Sequence, residues 1–123
     1  EREREREEVC TRGVSNTRFD PNNATYLNRY WKQEYFEAIN IVREACEREG
    51  ITMADASLRW LVHHSSLSSS DTHKDGIIVA GTTINQLAMN LASLESNSLH
   101  ISVLNAFDKA WDRVSTVCPS YWR

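Results

Sequence analysis

The sequence predicts an α/β fold that is mostly helical, with four to five helices and one clear strand. Three observations lead there. Apolar residues recur at steps of three and four along several stretches, the mark of amphipathic helices. One short run, Ile77 to Val79, is apolar on both faces, as a buried parallel strand is. Polar or Gly-marked breaks separate these stretches. A single parallel strand cannot pair its own backbone groups. Either the chain is helical with one extended segment, or it is part of something larger, and the second option explains more.

The elements follow in order. Residues 1 to 8, EREREREE, alternate in sign. On a helix the i,i+3 pairs attract and the i,i+4 pairs repel, so the stretch reads as a solvated tail or frayed helix. Residues 11 to 28 carry Gly13, Pro21 and many Asn, Thr and Arg, the composition of a loop. Helical pattern begins near Tyr26. Tyr35, Phe36, Ile39, Val42, Ala45 and Cys46 form one stripe. Gly50 stops that helix where a left-handed cap residue is wanted. Thr52, with Asp55 three residues on, starts the next as a variant capping box. Leu58, Leu61 and Val62 supply its buried face, and the two helices make a helical hairpin.

Residues 63 to 76, HHSSLSSSDTHKDG, form a Ser-rich loop. After the strand, Thr83 and Gln86 make a proper capping box. Ile84, Leu87, Leu91 and Leu94 mark the core stripe of the helix behind it. Val103, Leu104, Phe107, Trp111 and Val114 stripe a last helix, which cannot continue past Pro119.

Bulk properties bound the function. The 123 residues allow one domain with a modest core. A net charge of -3 advertises no nucleic-acid or phospholipid surface. Cys10, Cys46 and Cys118 form no CxxC pair and are odd in number, so free thiols in a reducing, cytoplasmic setting are expected. No apolar run approaches the ~20 residues of a membrane helix. The charged N-terminus does not read as a secretory signal. It does not begin with Met, so a fragment or processed piece is expected.

Four groups are candidates for chemistry. The turn before the last-but-one helix comes first. A helix N-terminus offers unpaired N–H groups and partial positive charge. Thr82 and Thr83 add hydroxyls there, and Gln86 and Asn90 share one side of the helix. A phosphate at the threonines, with the amides reaching a ribose or base, stands against a capped helix with two solvated amides. His63, His64 and His73 lack the spacing of a zinc site. Serines 65, 66, 68, 69 and 70, near Asp71 and His73, lack the fixed elbow and oriented base a nucleophile needs. Trp31, Trp60, Trp111 and Trp122 read as core or interface anchors. The terminal Tyr121-Trp122-Arg123 could close over a ligand, with Arg123 on a carboxylate, or could simply fray.

Several stretches carry a resemblance. TRFDPNNATYLNRYWKQEYFEAINIVREACEREG, ASLRWLVHHS, IIVAGTTINQLAMNLA, VLNAFDKAWDRV and CPSYWR occur in that order. Together they resemble the C-terminal third of an aldo-keto reductase of the aflatoxin-aldehyde-reductase type. The resemblance covers 17–123, and residues 1–16 stand apart as a charged tail. It implies a TIM (β/α)8 barrel, which needs ~250 residues and eight strands. This chain then supplies the last strand, its helix, the preceding helical pair and an added C-terminal helix.

The resemblance also implies roles. Thr82, Thr83, Gln86 and Asn90 correspond to the segment that holds the adenosine half of NADP(H), with its 2′-phosphate. Arg18 matches an arginine on the same cofactor. Arg123 matches a terminal arginine that meets the substrate's carboxylate. The family usually has Gly where this chain has Ala80, with Gly81 one place on. The family's catalytic Asp, Tyr, Lys and His have no counterpart here. The resemblance therefore implies an NADP-dependent reductase of aldehydes and ketones, present as a partial barrel without activity alone, and admits a homodimer. A non-catalytic interaction or regulatory module of the same ancestry stands as the alternative, and an unrelated helical bundle as a third reading.

Overall fold

A computed structural model describes residues 20, 22–68, 72 and 74–120. Among them are five α-helices: α1 Ala24–Tyr30, α2 Gln33–Arg48, α3 Met53–His63, α4 Ile84–Leu94 and α5 Ile101–Val114. They divide between two compact units, one of Glu1–Asn40 with Lys109–Arg123, the other of Ile41–Asp108. The charged tail, its boundary after residue 16, Gly13 and Pro21 lie outside the described residues. None of the described helices is long and apolar enough to cross a membrane.

The first unit is held by aromatic rings. Tyr30 meets Tyr35 edge-on at 6.0 Å between centroids, and Trp31 meets Phe36 in the same way at 5.0 Å. These offset geometries are the ones the ring quadrupole favours. Lys32 Nζ donates to the Val117 carbonyl at 3.0 Å, tying the start of α2 to the segment after α5. Arg113 pairs with Glu37 at 3.5 Å, an exposed bridge of small energetic weight. Burial, followed by the neighbouring Cys118 thiol, raises the Tyr35 hydroxyl above the ordinary phenol range. Trp31 anchors this unit as expected. Trp111 is no core anchor: it is exposed, because buried Ala110 occupies the inward position of that turn.

The second unit has the cleaner local logic. Gly50 takes φ +68°, the left-handed conformation its lack of Cβ permits. Ile51 N donates to Cys46 O at 3.0 Å and Gly50 N to Glu47 O at 3.3 Å. That pair of bonds is the Schellman motif, and it closes α2 where the sequence predicts. Thr52 Oγ1 then accepts from Asp55 N at 3.1 Å to open α3. The reciprocal arm of the box is not made, because the Asp55 carboxylate turns to Arg59 at 3.0 Å.

Ala45, Cys46, Ala56 and Val103 are almost wholly buried and form the centre of this unit. Three side chains of α3 then fasten the segment before α5. Arg59 Nε and Nη2 donate to Asn97 O at 2.7 Å and Ser98 O at 3.0 Å. His63 Nε2 donates to Ser96 O at 2.7 Å, and Leu99 N donates to His64 Nε2 at 3.2 Å. These bonds place a proton on Nε2 of His63 and leave Nε2 of His64 as an acceptor. Burial, followed by the Asp55 charge, pushes the Cys46 thiol upward.

Two expectations fail in the same place. No strand occurs among the described residues, and 74–80 has no regular secondary structure. A strand needs a neighbour, and no hydrogen bond from a described residue reaches the N–H or C=O groups of Ile77, Ile78 or Val79. Ile78 is 99% exposed. The α4 stripe is likewise not a core. Ile84 is 86% and Leu91 49% exposed, whereas Ser93 is buried. The side of α4 that carries Asn90, Ser93 and Leu94 faces inward, and α4 packs on α3. Periodicity identifies an apolar face without saying whether this chain covers it.

Candidate functional site

The turn from Ala80 to Thr83 is built from short-range rules. Gly81 lies so close to the helix start that an added Cβ would sit 2.9 Å from the Leu87 backbone N. The position therefore needs Gly for close approach, with no demand on φ. Thr83 caps α4, its Oγ1 accepting from Gln86 N at 3.2 Å. The Gln86 side chain reaches back past the cap. Its Oε1 accepts from Thr82 N at 3.0 Å and from Thr82 Oγ1 at 2.5 Å. The capping box is thus present with its return arm moved one residue upstream.

Thr82, Thr83 and Gln86 converge as the sequence predicts. Asn90 joins them, its Nδ2 donating to Ala80 O at 3.1 Å. Gln86 Oε1 and Asn90 Nδ2 are engaged on the turn itself, whereas the sequence predicts both amides reaching toward a ribose or base. They act here as positioning residues. Several donors are left over. The Ile84 and Asn85 N–H groups find no acceptor among the described residues. The Thr83 hydroxyl proton and Gln86 Nε2 also remain. No acidic residue stands in the first turn of α4 to neutralise its partial positive charge. A set of outward donors with no competing carboxylate on the helix suits an anion.

The other candidates resolve differently. Among the described residues no group of three His, Cys, Asp or Glu side chains could hold a metal ion. His63 and His64 are structural, as described above. Ser65 Oγ donates to Leu61 O, a helix-end bond, and Ser68 exchanges bonds of 2.9 and 3.0 Å with Asp75 that close the loop at its base. Arg18, Ser69, Ser70, Asp71, His73, Tyr121, Trp122 and Arg123 lie outside the described residues.

Sequence reasoning missed one cluster. Ser102 Oγ donates to Glu49 Oε1 at 2.6 Å, and His100 Nδ1 lies 3.1 Å from that oxygen and 2.9 Å from the hydroxyl. The serine proton goes to the carboxylate, not the imidazole, so the trio is no nucleophilic triad. Ser102 N lies 3.3 Å from the same His100 Nδ1, so the cluster sits at the start of α5. Glu49 and Ser102 are 53 residues apart, and no local pattern signals their meeting.

The chain has relatives among known proteins. The aldo/keto reductase family model matches residues 2–112, and the chain belongs to that family. Its relatives place it more finely. It is 42% identical to aflatoxin B1 aldehyde reductase member 2 of Mus musculus over 112 residues, 86% of this chain and 30% of that protein. It is 39% identical to aldo-keto reductase family 7 member A3 of Homo sapiens over 102 residues, 80% of this chain and 30% of that one. Aldo-keto reductase pigE of Monascus ruber is 32% identical over 109 residues, 86% of this chain and 31% of it. The chain thus spans about 30% of the length of the curated relatives it matches. An unrelated helical bundle is ruled out.

Proposed function

We propose that this chain is the C-terminal part of an NADP-dependent reductase of aldehydes and ketones, and that it contributes the grip on the cofactor's adenosine phosphate. The observation that carries this reading is the donor-rich start of α4, where Thr82, Thr83 and Gln86 meet over Gly81. The donor set fits an anionic group. Thr83 Oγ1–H and the Ile84 and Asn85 N–H groups would take the phosphate. Gln86 and Asn90 hold the turn in shape for it, and Arg18 would add a cation. Arg123 would meet a carboxylate on the substrate. When bound, NADPH supplies the hydride for carbonyl reduction.

The same reading makes the chain inactive by itself. The Asp, Tyr, Lys and His that perform proton transfer in the family have no counterpart in this sequence, and a barrel of the family's kind takes ~250 residues. The cytoplasm is the compartment this reading expects, and a homodimer is its expected assembly. The test is direct. The pure 123-residue chain is mixed with NADPH and succinic semialdehyde, and absorbance of the reduced cofactor is followed. No turnover above background is expected. Turnover would show that the chemical end of the site is present after all.

A non-catalytic module of the same ancestry is the second reading. The well-buried centre around Ala45, Ala56 and Val103 favours it, since that part of the chain has a core of its own.

A further inference from the structure

One pair of residues is set up for chemistry on its own main chain. Asp75 and Gly76 stand at the base of the Ser-rich loop, and both are exposed. Ser68 N donates to Asp75 Oδ2 at 2.9 Å, and Asp75 N donates to Ser68 O at 3.0 Å. These two bonds clasp the ends of the loop. The Gly76 N–H meets no acceptor among the described residues. A Cβ built on Gly76 would meet nothing within 4 Å. The Gly76 nitrogen is therefore shielded neither by a side chain of its own nor by a neighbour on that side.

The other aspartates lack this combination. Asp20 precedes Pro21, which has no N–H. Asp55 precedes Ala56, whose N–H donates to Thr52 O at 2.9 Å. Asp108 and Asp112 lie within α5, where the following N–H groups belong to the helix ladder. Asp71 precedes β-branched Thr72, which crowds the nitrogen.

We propose that Asp75 and Gly76 form a site of spontaneous isoaspartate formation, and that the change opens the clasp on Ser68. Gly76 N attacks Cγ of the protonated Asp75 carboxyl. A C–N bond forms, the C–OH bond breaks, and the hydroxyl leaves with the amide proton as water. The product is a cyclic succinimide. Water then adds to one of its carbonyls. Opening at the Asp75 main-chain carbonyl leaves the chain running through Cβ and Cγ, and opening at Cγ restores aspartate. Water is the only co-reactant.

The isoaspartyl main chain is longer by one methylene. Its Cγ has become an amide carbonyl, and its carboxylate sits on Cα, so Ser68 N loses the acceptor it holds. That bond slows ring closure by fixing the carboxylate, but an exposed hydrogen bond of this kind accounts for no more than ~10-fold. The reaction uses none of the residues assigned to the cofactor.

The test keeps the pure 123-residue chain for several weeks in neutral buffer at body temperature. Peptide mapping then reads isoaspartate as an isomer of unchanged mass, which separates it from deamidated asparagine. Methyl groups accepted from S-adenosylmethionine, with an isoaspartate-specific carboxyl methyltransferase as the probe, count it independently. Isoaspartate should build up at residue 75 at least ~10-fold faster than at Asp55, Asp108 or Asp112, where the helix must first open. Gly76→Ala, whose Cβ enters open space, should slow it by ~10-fold or more. Amide exchange at Ser68 and Asp75 should be faster in the aged chain than in the fresh one.

Three results would each overturn the proposal. One is build-up at residue 75 no faster than at the helical aspartates, or only after unfolding in urea. Another is an undiminished rate in Gly76→Ala. The last is an aged chain that carries isoaspartate at 75 yet exchanges at Ser68 as slowly as the fresh one.

Discussion

Two stretches of the second unit obey the same local rules and end in opposite states. Residues 46–63 and residues 77–94 each contain a glycine at a turn and a threonine that caps the following helix. In the first stretch Gly50 and Thr52 lead into a helix whose Ala56 is wholly buried. In the second, Gly81 and Thr83 lead into a helix whose leading Ile84 is 86% exposed. Backbone geometry is complete in both. What differs is cover: Arg59, His63 and His64, at and just after the end of α3, bond to residues 96–99, whereas no described residue bonds the backbone of residues 77–79. Local chemistry sets an element's shape, and a neighbouring surface decides whether its apolar face becomes core. In the second stretch the described residues leave that face largely uncovered.

Substitutions at the two kinds of apolar residue should break that symmetry most sharply. Val103 is fully buried. Val103→Asp should cost at least ~3 kcal/mol, because an unpaired carboxyl enters an apolar site. Ile78→Asp, in the isolated chain, should stay within ~0.5 kcal/mol of the parent, as changes at exposed sites do. Urea titration followed by circular dichroism compares the two, and a large loss at Ile78 would mean that this chain already covers it.

The caps should give a smaller and more informative contrast. Thr52→Ala and Thr83→Ala each remove one side-chain acceptor, worth ~1 kcal/mol. For Thr52 the loss should appear in global stability, since α3 belongs to the buried centre. For Thr83 it should appear as faster amide exchange within 84–87, with little change in Tm. Identical global losses from both would erase the distinction drawn between the two helices.

The smallest effect is expected with pH. The buried Cys46 thiol has its pKa raised in the fold. The folded chain therefore keeps this proton after the unfolded chain has lost it. Stability is intact below the ordinary thiol range near ~8.5 and declines as pH rises from there toward the folded value. Tyr35, also raised, acts with the same sign at higher pH. Cys46→Ala should flatten the first part of the decline, measured as ΔG of unfolding between neutral and alkaline buffers. An unchanged slope would assign it elsewhere.

Much of this was legible in the sequence where the cause is local. Gly50 marks a left-handed stop and Thr52 and Thr83 mark caps; of the stripe Tyr35, Phe36, Ile39, Val42, Ala45 and Cys46, the last three are buried and Ile39 is exposed. The convergence of Thr82, Thr83 and Gln86 was legible for the same reason, since a capping box fixes residues three apart. The inward turn of the Gln86 and Asn90 amides was not, because a solvated amide and a bonded one share the same spacing. Nor was the orientation of α4: Ile84, Leu87 and Leu91 are its most regular apolar row, yet Ser93 lies inside. The strand at 77–79 was read from composition alone, and composition cannot supply a partner strand. The meeting of Glu49, His100 and Ser102 depends on tertiary approach and leaves no mark in sequence.

The central claim is that the start of α4 holds an adenosine phosphate. It is tested most directly by titrating the isotopically labelled full chain with 2′-phosphoadenosine 5′-phosphate and following backbone amide signals. The account predicts weak, saturable shifts concentrated at Thr82, Thr83, Ile84, Asn85 and Gln86, lost in Thr83→Ala and absent with adenosine. Silence at these five amides, or shifts of equal size with adenosine, would contradict it.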